Sequence, residues 1–142
     1  MKLNWKGERE MDTNPEYIKM CEKAKELQNH YLNTGDYYCR LPSHEIKLVK
    51  WADQRRVSGI ELKEYGTAKT HVRVGNIWLP RQEDLQRMIE DDAITQIQKL
   101  WGWIITSKYV PVGMPQPSME QLWLCFVMDE KYNKIWDGTN WI

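Results

Sequence analysis

Ser118-Met119-Glu120-Gln121-Leu122-Trp123-Leu124-Cys125-Phe126-Val127-Met128 is the stretch that decides the fold class. Its first four residues form a capping box: a hydroxyl that can accept the N3 backbone N–H, and an N3 glutamine that can reach back to the cap. Seven apolar residues follow without a break, so the helix they open, running to about Tyr132, has no polar face. A helix apolar all round is stable in water at the centre of a core, covered by other elements. The run is also far short of the ~20 residues a bilayer requires, so no membrane span is expected.

The covering elements can be read on both sides of it. Downstream, Ile135-Trp136-Asp137-Gly138-Thr139-Asn140-Trp141 contains Asp-Gly, a strong tight-turn signal, and predicts a C-terminal hairpin. Upstream, Val110 to Pro117 holds three prolines and a glycine and reads as a loop. Before that loop the chain is helical from about 81 to 107, but its apolar phase is broken. Leu85, Met88 and Ile89 point one way, while Ala93, Ile97, Leu100 and Ile104 point roughly 130° around from them at helical spacing. One continuous helix would have to bury Glu90, so a break at Glu90-Asp91-Asp92 is expected, with one Asp capping the second segment. That predicts helices over 81–90 and 93–107.

Near the start, Thr13-Asn14-Pro15-Glu16 is another capping box with proline in the first turn. Tyr17, Met20, Cys21, Ala24, Leu27, Tyr31 and Leu32 then share one face, and Lys19, Lys23, Glu26 and His30 the other. This predicts an amphipathic helix over 14–32, closed by Asn33-Thr34-Gly35. Residues 36–79 read as short strands: Tyr37 to Arg40 ending at Pro42, Glu45 to Trp51, Gly59 to Lys63, and His71 to Val74, with Gly75-Asn76 a turn or bulge. The expected fold is α+β, mainly helical, with a small antiparallel sheet after the first helix and a C-terminal hairpin. Residues 1–12 are polar and aperiodic, and read as a flexible N-terminal extension to a single globular domain over 13–142.

Composition agrees with a folded chain and narrows its role. Leu, Ile, Val and Phe supply only 30 of 142 residues, but 8 Trp, 7 Tyr and 7 Met make up the apolar bulk. Twenty basic side chains balance twenty acidic ones, which argues against a protein whose main role is gripping duplex DNA or an anionic membrane. Three widely spaced cysteines, Cys21, Cys39 and Cys125, form no CxxC and suggest reduced thiols rather than a disulfide framework. The N-terminus lacks the apolar stretch of a signal peptide.

Catalytic and cofactor chemistry finds no assembled motif. His30, Cys39, His44 and His71 lack the convergent spacing of a metal site. There is no G-x-S-x-G, and Cys21 and Cys125 lie on apolar faces, where thiols are inert. No phosphate-binding glycine loop is present. Glu83-Asp84 and Glu90-Asp91-Asp92 could act as acid and base, but their ordinary role is to complement helix N-termini. The expectation is a non-enzymatic protein with no cofactor and no metal.

The C-terminal half carries a resemblance. Trp78-Leu79-Pro80-Arg81-Gln82, Ser118 to Leu124, Phe126-Val127-Met128 with Glu130-Lys131-Tyr132, and Trp136-Asp137-Gly138 resemble a group of small uncharacterised proteins encoded by bacteriophages and prophages. The likeness covers the last 65 residues and the Asn14-Pro15-Glu16-Tyr17 helix start, but not residues 40–75. It implies a phage or prophage origin and a cytoplasmic setting in a bacterial host. It implies no activity, because the group has none to carry over.

Two surfaces remain as candidates. Residues 44–79 carry seven basic against four acidic side chains, and residues 80–142 six against nine. Lys47, Lys50, Arg55, Arg56, Lys63, Lys69 and Arg73, interleaved with Trp51 and Tyr65, could form a single-stranded nucleic-acid face; lysine and arginine on an open sheet also guard it against edge pairing. The tryptophans give the other surface. Trp101 and Trp123 fit core positions, Trp103 lies at the flank of its helix stripe, and Trp136 and Trp141 flank the terminal turn. Trp103, Trp136 and Trp141 are therefore candidate anchors for a phage or host protein, or for a second copy of the chain in a homodimer. The alternative is that Trp136 and Trp141 fold back onto the helices. Protein–protein association is the leading functional expectation, and single-stranded nucleic-acid binding the alternative.

Overall fold

The computed structural model describes residues 11–50, 60–65, 70–106 and 116–142. In chain order the elements are α1 (Pro15–Lys23), β1 (Tyr37–Leu41), β2 (Glu45–Leu48), β3 (Glu61–Tyr65), β4 (Thr70–Leu79), α2 (Gln82–Arg87), α3 (Ala93–Thr106) and α4 (Met119–Tyr132). This is the expected α+β arrangement, with the antiparallel sheet after the first helix. The chain divides into two compact units. One contains the start of α1 and everything from Arg81 on; the other is Ile18–Pro80.

In the first unit α4 is the centre. Trp123, Leu124, Phe126, Val127 and Met128 are all but inaccessible, and Cys125 is buried beside them. Burial raises the Cys125 thiol to about 12. The capping box forms as read: Ser118 Oγ accepts the Gln121 N–H at 3.1 Å, and the Ser118 N–H donates to Gln121 Oε1 at 2.9 Å. Ser118 Oγ also meets Asp12 Oδ2 at 2.5 Å, so the buried Asp12 is tied to the start of α4. At the other end, Asn133 adopts the left-handed conformation and closes the helix.

A break separates α2 from α3 as the phase shift requires, with α3 starting at Ala93 as expected but α2 ending at Arg87 rather than at 90. Gln96 Nε2 lies within 3.0 Å of the carbonyl oxygens of Gln86, Ile89 and Asp91, so one amide plugs the end of α2 and the turn after it. Asp92 precedes α3, taking the Thr95 N–H at 3.0 Å and the Thr95 hydroxyl at 2.6 Å. These two bonds favour the carboxylate, chiefly through the hydroxyl, and lower its pKa. The C-terminal hairpin is short: Ile135 and Ile142 exchange both backbone bonds, and Trp136 bridges Trp141. Asp137 Oδ1 accepts the N–H groups of Thr139 and Asn140, each at 2.7 Å, and Gly138 supplies the positive φ the loop needs.

In the second unit the sheet runs β2-β1-β4-β3. β4 serves two partners in turn: Thr70 to Val74 pairs with β3, and Gly75 to Leu79 pairs with β1. Gly75, expected at a turn or bulge, lies inside the strand at the hand-over with φ 145°, a conformation that side chains disfavour.

Helix α1 is shorter than the 14–32 expected, ending at Lys23. Beyond it Leu27 and Gln28 bond back three residues rather than four. The Gln28 side chain bridges two elements. Its Nε2 donates to the carbonyls of Cys21 and Trp78, each at 3.0 Å, and its Oε1 accepts the Trp78 N–H at 2.9 Å. A side chain that satisfies both a helix end and a strand backbone replaces the missing helical turns. The expected apolar face holds at Ala24, Leu27 and Leu32, which are buried, but Tyr31 is exposed.

Candidate functional site

Helix α3 is 14 residues long and has two apolar faces. Gln96, Leu100 and Trp103 define the inner one. Leu100 is buried, and Trp103 is half-buried with its indole ring tilted against Phe126, centroids 5.7 Å apart. The Trp103 Nε1–H donates to Asp129 Oδ2 at 2.7 Å. Together with the Gln96 amide, this bond to α4 fixes the rotation of α3 about its own axis.

That rotation turns a second stripe outward. Ile94, Ile97, Trp101 and Ile105 fall on one face, roughly 140° from the inner residues at 100° per residue. They are 71, 62, 62 and 63% exposed. Single exposed apolar residues are ordinary, but four large ones in a row along one helix are not. Their flanks are uncharged: Ala93, Thr95, Gln98 and Gly102 border the stripe. The charged side chain of α3, Lys99, lies mid-helix but off the stripe, about 120° or more from each of its four residues on the Thr95 side, and its Nζ donates to Asp91 Oδ2 at 2.7 Å, a bond that raises the pKa of the ammonium. Gly102 sits mid-helix beside Trp101, and a Cβ there would meet nothing within 4 Å. The described residues therefore supply no steric reason for a residue that weakens the helix.

Of the two tryptophans read as core, Trp123 is buried and Trp101 is not. Trp101, read as core, is solvent-exposed, because the inner face is claimed by Leu100 and Trp103. Trp103, read as a candidate anchor for a partner, is half-buried, with its indole held by Asp129 and Phe126 within its own unit. Trp136, offered as a second anchor, is 2% exposed; its Nε1–H donates to Glu16 Oε1 at 3.1 Å. Trp141 packs on it with ring centroids 5.1 Å apart and is half-buried. Ile94 and Ile105 do not stand out in the sequence. The signal that could have found them is an excess: α3 holds seven large apolar residues, more than one stripe of a half-buried helix can use.

Of the basic segment, Lys63 and Arg73 do not share a face. In the β3–β4 ladder Lys63 stands opposite Val72 and Arg73 opposite Leu62, so alternation sends Lys63 and Arg73 to opposite sides of the sheet. Arg73 is also ion-paired with Glu22, and Lys47 lies 3.5 Å from Glu45. Lys50 is exposed just beyond β2. Trp51, Arg55, Arg56 and Lys69, and the side chain of Tyr65, lie outside the described residues.

The remaining polar clusters are structural. His30 stacks on Trp78 with centroids 3.7 Å apart, and its Nε2 is 2.9 Å from Asp36 Oδ2. That same oxygen accepts the Asn33 N–H at 2.7 Å, so the carboxylate organises the turn into β1. Among the described residues no group of His, Cys, Asp or Glu is placed to hold a metal ion, and no helix is long and apolar enough to cross a membrane. No protein family, curated protein or solved structure matches the chain.

Proposed function

We propose that this protein works by protein–protein association through the outer face of α3, rather than by catalysis. The observation that carries the reading is the stripe of Ile94, Ile97, Trp101 and Ile105, each more than three-fifths exposed on a helix whose opposite face is already docked. Leaving such a row in water forgoes stabilisation of order 1.5–3 kcal/mol per large side chain, which an association partner would recover. A central aromatic ringed by aliphatic residues is also the composition of an interface hot spot. A role as an accessory protein of a phage or prophage, in the cytoplasm of its host, is supported by the sequence resemblance alone.

The experiment is Ile97→Glu and Trp101→Glu introduced in the cells that make the protein, with native size measured in the extract. Both variants should keep the wild-type circular dichroism spectrum and, on dilute protein, its melting temperature, yet run in the extract at the size of the free 17.1 kDa chain, whereas the wild type runs larger. Wild-type protein that already runs as the free chain would refute the reading.

A further inference from the structure

We infer that the occupant of the α3 face is a second copy of this chain, paired helix to helix in antiparallel sense about a two-fold axis near the middle of α3. The inference rests on the association reading above and names its partner. Three features support it.

The first is size. The four side chains leave on the order of 500 Å² of contiguous apolar surface. Two such faces together reach the roughly 1,000 Å² that separates a specific interface from a casual contact. The second is self-complementarity. A two-fold contact brings a surface against itself, so any charge in its middle would meet its own like. The stripe has none, and its borders are Ala93, Thr95, Gln98 and Gly102. Its spacing is that of a helix–helix seam: Ile94, Ile97, Trp101 and Ile105 recur at intervals of three and four.

The third is direction. Glu90, Asp91 and Asp92 crowd the N-terminal end of α3. A parallel pair would bring two such acidic ends together and align the helix dipoles. An antiparallel pair separates the ends by most of the helix length and opposes the dipoles. Ile94 and Ile97 of one copy then lie against Ile105 and Trp101 of the other. Gly102, which no described residue crowds, leaves the edge beside Trp101 open to the approaching helix.

Sedimentation equilibrium of the purified full-length chain tests this. The expected result is a reversible dimer of the 17.1 kDa chain, with dissociation in the micromolar range that an interface at the small end of the specific class supports. Trp101→Glu should weaken it at least about 30-fold, the loss expected at a hot spot, and Ile97→Glu should act alike should either variant fold poorly. Orientation is read by oxidative cross-linking. Ile94→Cys mixed with Ile105→Cys should form the mixed disulfide, and Ile94→Cys alone should not, because antiparallel pairing sets those positions ~16 Å apart along the axis. The native Cys21, Cys39 and Cys125 are buried and should not interfere. A chain that stays monomeric at every concentration, a dimer indifferent to both glutamates, or an Ile94→Cys homodisulfide would overturn the inference. A purified monomer combined with a larger species in extract that Trp101→Glu abolishes overturns the second copy alone and leaves the association reading standing.

Discussion

Trp101 and Trp103 are separated by one residue, and they should respond very differently to the same substitution. Trp103→Phe removes the indole N–H that Asp129 Oδ2 accepts at 2.7 Å, while leaving a ring to pack on Phe126. Hydrogen bonds to charged groups contribute about 1.5–3 kcal/mol, and the half-buried setting of both partners selects the lower end. At this chain length a loss of that size lowers the melting temperature by roughly 5 °C. Trp101→Phe removes the same atoms from a ring in water and should change stability by less than about 0.5 kcal/mol. Thermal denaturation followed by circular dichroism at 222 nm should be run on dilute protein, so that self-association does not contribute. Asp129→Ala with Trp103→Phe completes a cycle whose coupling should be about 1 kcal/mol. Equal losses at positions 101 and 103, or a larger loss at 101, would mean that α3 is rotated the other way, and the outward stripe would not exist.

Further consequences can be checked with the same protein. Gly102→Ala adds a methyl group to open space and should stabilise the free chain by about 0.5–1 kcal/mol through helix propensity, read as a higher urea midpoint at unchanged slope; destabilisation would show that something already occupies that edge. Ser118→Ala removes both the cap for Gln121 and the hydroxyl on buried Asp12, and should cost about 2 kcal/mol with faster amide exchange at the start of α4, whereas Ser118→Thr should recover most of it. In the native protein iodoacetamide at pH 8 should leave Cys125 unmodified by mass spectrometry, since burial holds its thiol near 12, and labelling should become complete only in denaturant. Asp92 has a lowered folded pKa, so its contribution to stability is present in full above the ordinary value of 3.8 and disappears as the pH falls through the depressed folded value. The stability gap between wild type and Asp92→Asn should therefore be constant at neutral pH and close under acid; a gap that widens under acid would contradict the sign.

What the sequence disclosed follows from which interactions are local. Ser118-x-x-Gln121 and the apolar run after it need no knowledge of the rest of the chain, and α4 forms where they place it. The break at Glu90-Asp91-Asp92 was legible because two apolar phases cannot share one straight helix, although α2 ends earlier than expected, at Arg87. The length of α1 was not legible, because Gln28 leaves the helical pattern to bond the backbone of Trp78, fifty residues away. The candidate site failed in a different manner. With apolar residues around most of α3, periodicity could not say which stripe faces inward. That choice is made by Asp129 on another helix and by the carbonyls that Gln96 plugs. Trp101 and Trp103 exchanged roles for this reason alone.

The most direct measurement of the central claim is site-specific photo-cross-linking in intact cells. A benzophenone amino acid placed at Ile97 should give adducts, to a second copy or to another protein, whereas the same group at the exposed Thr139 on the terminal hairpin should give none. Equal yields at the two positions, or no adduct at Ile97, would contradict an association surface on the outer face of α3.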